Sequence, residues 1–182
     1  MKYLYILACL LLVSCEFVHK KQVQLLNEAE ELADLEMHDR YFENSLETGN
    51  TPYFEFYGGN PSCTDYGCSQ VTVITPSNSD VLVTIKQNDK VIRHAYIQAN
   101  DSYSFSFPDG TYQVFFYYGR GWNPEKGMKE TLQGTLKGGF IENEYFGKDD
   151  LQTLENQELT YELILQQNGN FSTQPSNAED AL

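Results

Sequence analysis

Positive charge is scarce in this chain. Twelve Lys and Arg stand against 26 Asp and Glu, a formal charge of −14. Phosphate binding needs clustered cations, so nucleic acid is excluded as a partner. Electrostatic adhesion to anionic lipid is excluded on the same ground. Long apolar runs are also missing. Mean hydropathy is −0.47, and the single apolar run is short, which excludes a polytopic membrane protein. There is one Trp, and there are three His and four Cys. Neither Gly-x-Ser-x-Gly nor His-Glu-x-x-His occurs, and no Cys–His arrangement offers a nucleophile with its base. His19, His38 and His94 lie in segments without metal-ligand spacing. The expectation is a protein that is not an enzyme and has no catalytic residue, metal or cofactor.

What is present suffices for a packed core. Hydrophobic residues make up 41% of the 182, with 13 Tyr and 11 Phe, too many for a wholly disordered chain. The length allows one domain, or one domain with appendages.

The N-terminus carries an address. Lys2 precedes the apolar run from Tyr3 to Val13, about half of what a membrane-spanning helix needs. One cation and a short apolar core read as a secretory signal. The core ends in Leu12-Val13-Ser14-Cys15, which resembles the lipobox of bacterial lipoproteins. That resemblance implies cleavage after Ser14, leaving residues 1–14 as signal peptide. It implies a thioether-linked diacylglycerol on Cys15 and an N-acyl chain such as palmitate. Several acyl chains exceed the two signals that stable anchoring requires. Glu16, where an inner-membrane retention signal would place Asp, implies the outer membrane of the cell envelope.

Residues 20–48 contain neither Pro nor Gly, and carry Glu28, Glu30, Glu31, Asp34, Glu36, Asp39, Glu43 and Glu47 against Lys20, Lys21 and Arg40. Leu25, Ala29, Leu32, Leu35, Phe42 and Leu46 recur with helical spacing. An amphipathic helix is expected to run up to Gly49-Asn50-Thr51-Pro52. Asp39 interrupts the stripe and there are barely three heptads. Residues 15–50 therefore read as a lipid anchor and acidic helical spacer, with a docking helix as the alternative.

Residues 51–168 read as an antiparallel β-sandwich. Strands are expected at Tyr53–Tyr57, Gln70–Thr75, Asp80–Lys86, Val91–Ile97, Ser102–Phe107 and Thr111–Tyr118, and a later pair at Glu130–Lys137 and Glu158–Gln167. Asn88-Asp89 suits a tight hairpin. Ser106-Phe107-Pro108-Asp109-Gly110-Thr111-Tyr112 resembles a hairpin of prealbumin-like and carboxypeptidase-regulatory-like sandwich domains. That resemblance implies an accessory or binding module. Residues 169–182, rich in Asn and Ser and without a basic residue, read as a disordered acidic tail.

Two constellations stand out in this domain. Cys63 and Cys68 enclose a six-residue ring, and export makes a disulfide the default for two such thiols. The aromatic strand Tyr112–Tyr118 leads into Gly119-Arg120-Gly121-Trp122. Alternation places Tyr112, Val114, Phe116 and Tyr118 inward, with Phe115 and Tyr117 exposed or under another sheet. Trp122 then either plugs the sandwich or joins Tyr117 and Arg120 in a sugar-binding platform. His94 reads as an exposed or partly packed strand residue. Glu142-Asn143-Glu144 and Lys148-Asp149-Asp150 lack the spacing of a Ca²⁺ loop and read as solvated acids.

The functional expectation is a lipid-anchored envelope protein working as a non-enzymatic interaction or assembly module with an envelope-protein partner. The alternative is a glycan-binding surface lipoprotein. Cys15→Ser is expected to give a soluble protein that retains a slower-migrating precursor form on gels. A variant that still fractionates with membranes overturns the lipobox assignment.

Overall fold

The computed structural model describes residues 2–64, 67–163 and 173–182, and the side chains within them from residue 20 onward. The chain divides into two units, residues 1–40 and 41–182.

The first unit is helical. Helix α1 runs without a break from Lys2 to Tyr41, so the apolar run and the acidic stretch form one helix. No helix among the described residues is long and apolar enough to cross a membrane. The acidic helix was expected to continue to Gly49. It ends at Tyr41 because the next residues find better partners than a helix offers. Asn44 and Trp122 exchange main-chain and side-chain bonds: Trp122 N donates to Asn44 O at 2.8 Å, and Asn44 Nδ2 donates to Trp122 O at 2.5 Å. Gly49 N donates to Tyr96 O and Tyr96 N to Asn50 O, both at 2.8 Å. Residues 42–50 are therefore a strap of the second unit, which begins at Tyr41 rather than at residue 51.

The second unit is a mainly-β sandwich. One sheet has the order β4-β1-β8, where β1 is Cys68–Ile74, β4 Ser102–Pro108 and β8 Glu158–Glu162. The other has the order β3-β2-β5-β6-β9, from β2 (Asp80–Gln87), β3 (Lys90–Ile97), β5 (Gly110–Thr131), β6 (Gly134–Lys148) and β9 (Gln174–Pro175). Strand β7 (Gln152–Leu154) pairs with the start of β5. Pairing is antiparallel except between β1 and β8. The β2–β3 turn has Asn88 and Asp89 at φ 49° and 61°, as its sequence led one to expect.

The larger sheet is covered on both faces, and that decides the core. Val81, Val83, Ile85, Ala95, Ile97, Val114 and Phe116 meet Val71, Val73, Phe105, Phe107 and Tyr161 between the sheets. On the reverse face Leu82, Tyr96, Phe115, Tyr117, Trp122, Leu136 and Phe140 pack with Tyr53, Ala181 and Leu182. Both sets of alternating residues in β2 and β5 are thus buried, as in a central layer.

Several expected elements differ in kind. Tyr53–Tyr57 is not a strand: Phe54–Tyr57 forms the single-turn helix α2. Burial of the Tyr53 ring, whose hydroxyl donates to Gly138 O at 2.6 Å, fixes a turn there instead of an extended backbone. Strand β5 does not stop at Tyr118 but continues to Thr131, and Glu130–Lys137 is the end of the β5–β6 hairpin. Strand β8 does not pair with that hairpin but lies parallel to β1; residues 164–167 of the expected strand lie outside the described residues. Cys63 and Cys68 are joined as a disulfide, with Cα atoms 5.9 Å apart.

The expected disordered tail is also corrected. Residues 169–172 lie outside the described residues, but from Thr173 the chain is built into the fold. Gln174 and Pro175 pair with Lys148 and Gly147. Helix α3 (Ala178–Ala181) is capped by the Asn177 side chain, which accepts from Asp180 N at 2.9 Å. Thr84 Oγ1 donates to Ala181 O at 2.7 Å, and Lys129 Nζ donates to Glu179 O and Leu182 O at 2.8 and 2.9 Å. Composition suggested disorder, but two apolar residues at 1% and 4% exposure hold the segment down. Burying one Leu is worth about 1.5–3 kcal/mol, and a buried hydrogen bond adds about 1 kcal/mol. Deleting residues 178–182 is expected to destabilise the domain by about 2–4 kcal/mol in urea unfolding. An unchanged midpoint would mean the segment does not pack in solution.

Candidate functional site

The aromatic platform does not form. Tyr117 and Trp122 are 1% and 2% exposed. The Tyr117 ring stacks on Phe146 with centroids 4.1 Å apart. Its hydroxyl donates to Glu144 Oε1 and accepts from Phe140 N at 2.9 Å. Burial, and then that bond to the Glu144 carboxylate, push the Tyr117 phenol far above its ordinary value. The Trp122 indole makes edge contacts with Tyr96 and Phe140 at 5.4 and 5.3 Å. Gly138, at φ 113°, lets the β6 backbone run against that ring, where a Cβ would stand 2.7 Å from an indole carbon. Trp122 is therefore the plug, the other of the two readings its sequence allowed.

Arg120 alone of the three is exposed. The split has a local cause. Gly121 at φ 67° breaks the period-two alternation between Arg120 and Trp122. Asn143, at φ 54°, supplies the extra residue where the β5–β6 register shifts from Tyr118↔Tyr145 to Arg120↔Glu142. Arg120 turns outward while Trp122 returns to the face of Tyr117.

The Arg120 guanidinium lies over the Phe42 ring, 5.5 Å from its centroid. It borders a cleft of about 480 Å³ walled by residues 42–45 of the strap, Ser77-Asn78-Ser79 of the β1–β2 connection, and Gln98-Ala99. Asp80 lies at its edge and is tied down: Oδ1 accepts from Ala99 N at 2.7 Å, and Oδ2 from the Tyr96 hydroxyl and from Ser45 Oγ at 3.0 Å. Ser79 Oγ bridges to Gly119, donating to its O at 3.2 Å and accepting from its N at 3.1 Å. The sequence offered one signal for this site, Arg120. Phe42 reads as helix stripe, and Ser77-Asn78-Ser79 reads only as a turn.

The other acids are engaged in the fold. Lys126 Nζ donates to Glu144 Oε2. Asp149 Oδ2 accepts from the Tyr161 hydroxyl at 2.6 Å and from Gln152 at 2.9 Å. Asp150 Oδ1 accepts from Gln174 at 2.7 Å. Among the described residues no three His, Cys, Asp or Glu side chains converge on one point. Cys15 lies in α1, and its side chain lies outside the described part.

His94 is fully buried, contrary to its expected half-exposed position. Its Nε2 accepts from Tyr53 N at 3.0 Å, and its ring stacks on Tyr53 at 5.8 Å. Burial lowers its pKa to about 4, with the Thr51 main chain pulling weakly the other way. The folded protein therefore holds His94 neutral, with the Nε2 lone pair committed to the Tyr53 amide.

No protein-family model matches this chain, and no curated protein or solved structure matches it either.

The His94 geometry fixes the sign of a pH effect. A lowered histidine contributes stability fully above its unfolded value of 6.5 and loses it as pH falls to about 4. The loss amounts to about 3 kcal/mol. Wild type is expected to lose that much more stability than His94→Gln between pH 7 and 4, measured by urea unfolding. Carboxylates titrate in both proteins and cancel. Equal losses would mean that His94 is not held neutral by burial.

Proposed function

We propose that this is an exported, lipid-anchored envelope protein that works as a non-enzymatic interaction module. Its docking surface on this reading is the acidic helix. The lipobox-like Leu12-Val13-Ser14-Cys15 supports the anchor and the compartment. The observation that carries the docking role is the exposure of Leu25, Leu32 and Leu35, which helical spacing sets on one side of α1, with Leu32 at 62%. A helix standing alone in water draws little stability from propensity and depends on packing of its apolar face. Large exposed apolar surface marks an interaction site.

Charge selects the occupant. Glu28, Glu31, Glu36 and Asp39 lie on or beside that stripe by the same helical spacing. A second copy would bring acid against acid, and anionic lipid would be repelled. The partner that fits is an envelope protein presenting an apolar stripe flanked by Lys or Arg, laid along the helix.

The test is a cross-linked pull-down from intact cells with the full chain, beside the Leu25→Asn/Leu32→Asn double variant and a light-scattering mass. One stoichiometric envelope protein with a basic amphipathic segment, captured by wild type and lost in the variant, is the expected result. Capture that survives the double substitution moves docking off the helix and overturns this reading. A homodimer that the variant dissolves replaces the partner by a second copy. No capture at all removes the interaction role.

A further inference from the structure

The cleft beside Arg120 has no part in helix docking, and its chemistry points elsewhere. Its volume of about 480 Å³ falls within the range of small-ligand sites. Its walls are fixed before any ligand arrives. The strap is held by the paired bonds between Asn44 and Trp122, the β1–β2 connection by Ser79 on Gly119, and Asp80 by three donors. A site that need not reorganise keeps more of its binding energy.

The lining excludes most ligand classes. Glu43 and Asp80 outweigh Arg120 in charge, so a free anion meets net repulsion. A hard cation needs six or more oxygens, and both Asp80 oxygens already accept protein donors. An apolar ligand finds only the Phe42 ring and Ala99. What remains is a dense, nearly alternating set of donors and acceptors. Ser77 and Asn78 present exposed side chains that bond to no other described residue, Glu43 accepts, and Arg120 donates in a fork beside an aromatic face. Vicinal hydroxyls, each both donor and acceptor on a partly apolar ring, match that set.

We propose that this cleft binds a neutral carbohydrate, with Arg120, Asn78 and Glu43 meeting its hydroxyls and Phe42 supplying the apolar wall. This site is separate from the α1 stripe, so either proposal can fail alone.

The test applies the full-length protein in detergent to a printed array of neutral and acidic oligosaccharides, followed by titration of the best binder. Arg120→Ala and Asn78→Ala change exposed side chains and should keep the native Trp122 emission. Arg120→Ala is expected to weaken binding of a neutral oligosaccharide by about tenfold, the worth of one lost hydrogen bond to a charged group, and Asn78→Ala by about fivefold, the worth of one between neutral groups. Leu25→Asn/Leu32→Asn is expected to leave it unchanged. No oligosaccharide bound above background, binding confined to acidic sugars, or affinity unaltered in both cleft variants overturns the proposal.

Discussion

The fold depends on one requirement: the larger sheet must be covered on both faces. Strands β2 and β5 alternate between two apolar sets, Val81, Val83, Ile85, Val114 and Phe116 on one side and Leu82, Phe115 and Tyr117 on the other. Period two sends these to opposite faces. A two-layer sandwich covers only the first. The second is closed by segments that are not strands of the facing sheet: the strap with Tyr53, and the C-terminal residues Ala181 and Leu182. Much of what looks irregular in the chain follows from that task.

The same task explains how the sheet edge is protected. Strand β3 ends the larger sheet, and an open row of amides there would invite pairing with another chain. Gly49 and Asn50 bond to Tyr96, while the Asn60 side chain donates to His94 O and accepts from His94 N at 2.8 and 3.2 Å. His94 Nε2 in turn holds the Tyr53 amide. His94 thus receives Asn60 on its backbone and Tyr53 on its ring, two residues beyond the strap that bonds Tyr96 on the same strand. That is why an imidazole can sit at a fully buried position, and why it must stay neutral there.

Legibility followed range. Strands β1 to β4 were readable because their signals are local: β-branched runs, alternation, and Asn88-Asp89 at positive φ. The mainly-β sandwich was readable from strand pattern, and the Cys63–Cys68 disulfide from the expectation of export. What misled was tertiary. The strap has the composition of the helix before it, and bonds to Trp122 and Tyr96, tens of residues away, hold it in turns and irregular backbone instead. The C-terminal segment has the composition of a disordered tail, and two apolar residues at its end decide otherwise. Aromatics in β5 could be assigned to a face but not to a depth, because alternation does not say how many layers a sheet has.

At the candidate site the sequence left Tyr117 and Trp122 open between burial and an exposed platform, and the structure buries both beside an exposed Arg120. The reason is Gly121, whose φ of 67° turns Trp122 back toward Phe140. One turn of backbone separates the plug from the exposed cation, so a single Gly-Arg-Gly-Trp run serves two ends. Trp122 fixes Asn44 through its backbone, Asn44 fixes the strap, and the strap sets Phe42 under Arg120. The cleft wall is therefore a by-product of closing the second face. Its polar lining has the same origin: Leu46 of the strap packs on the core, and Glu43 and Ser45 face water beside Phe42. A surface held in this way is fixed before any ligand arrives, which is the condition a hydrogen-bonding site requires.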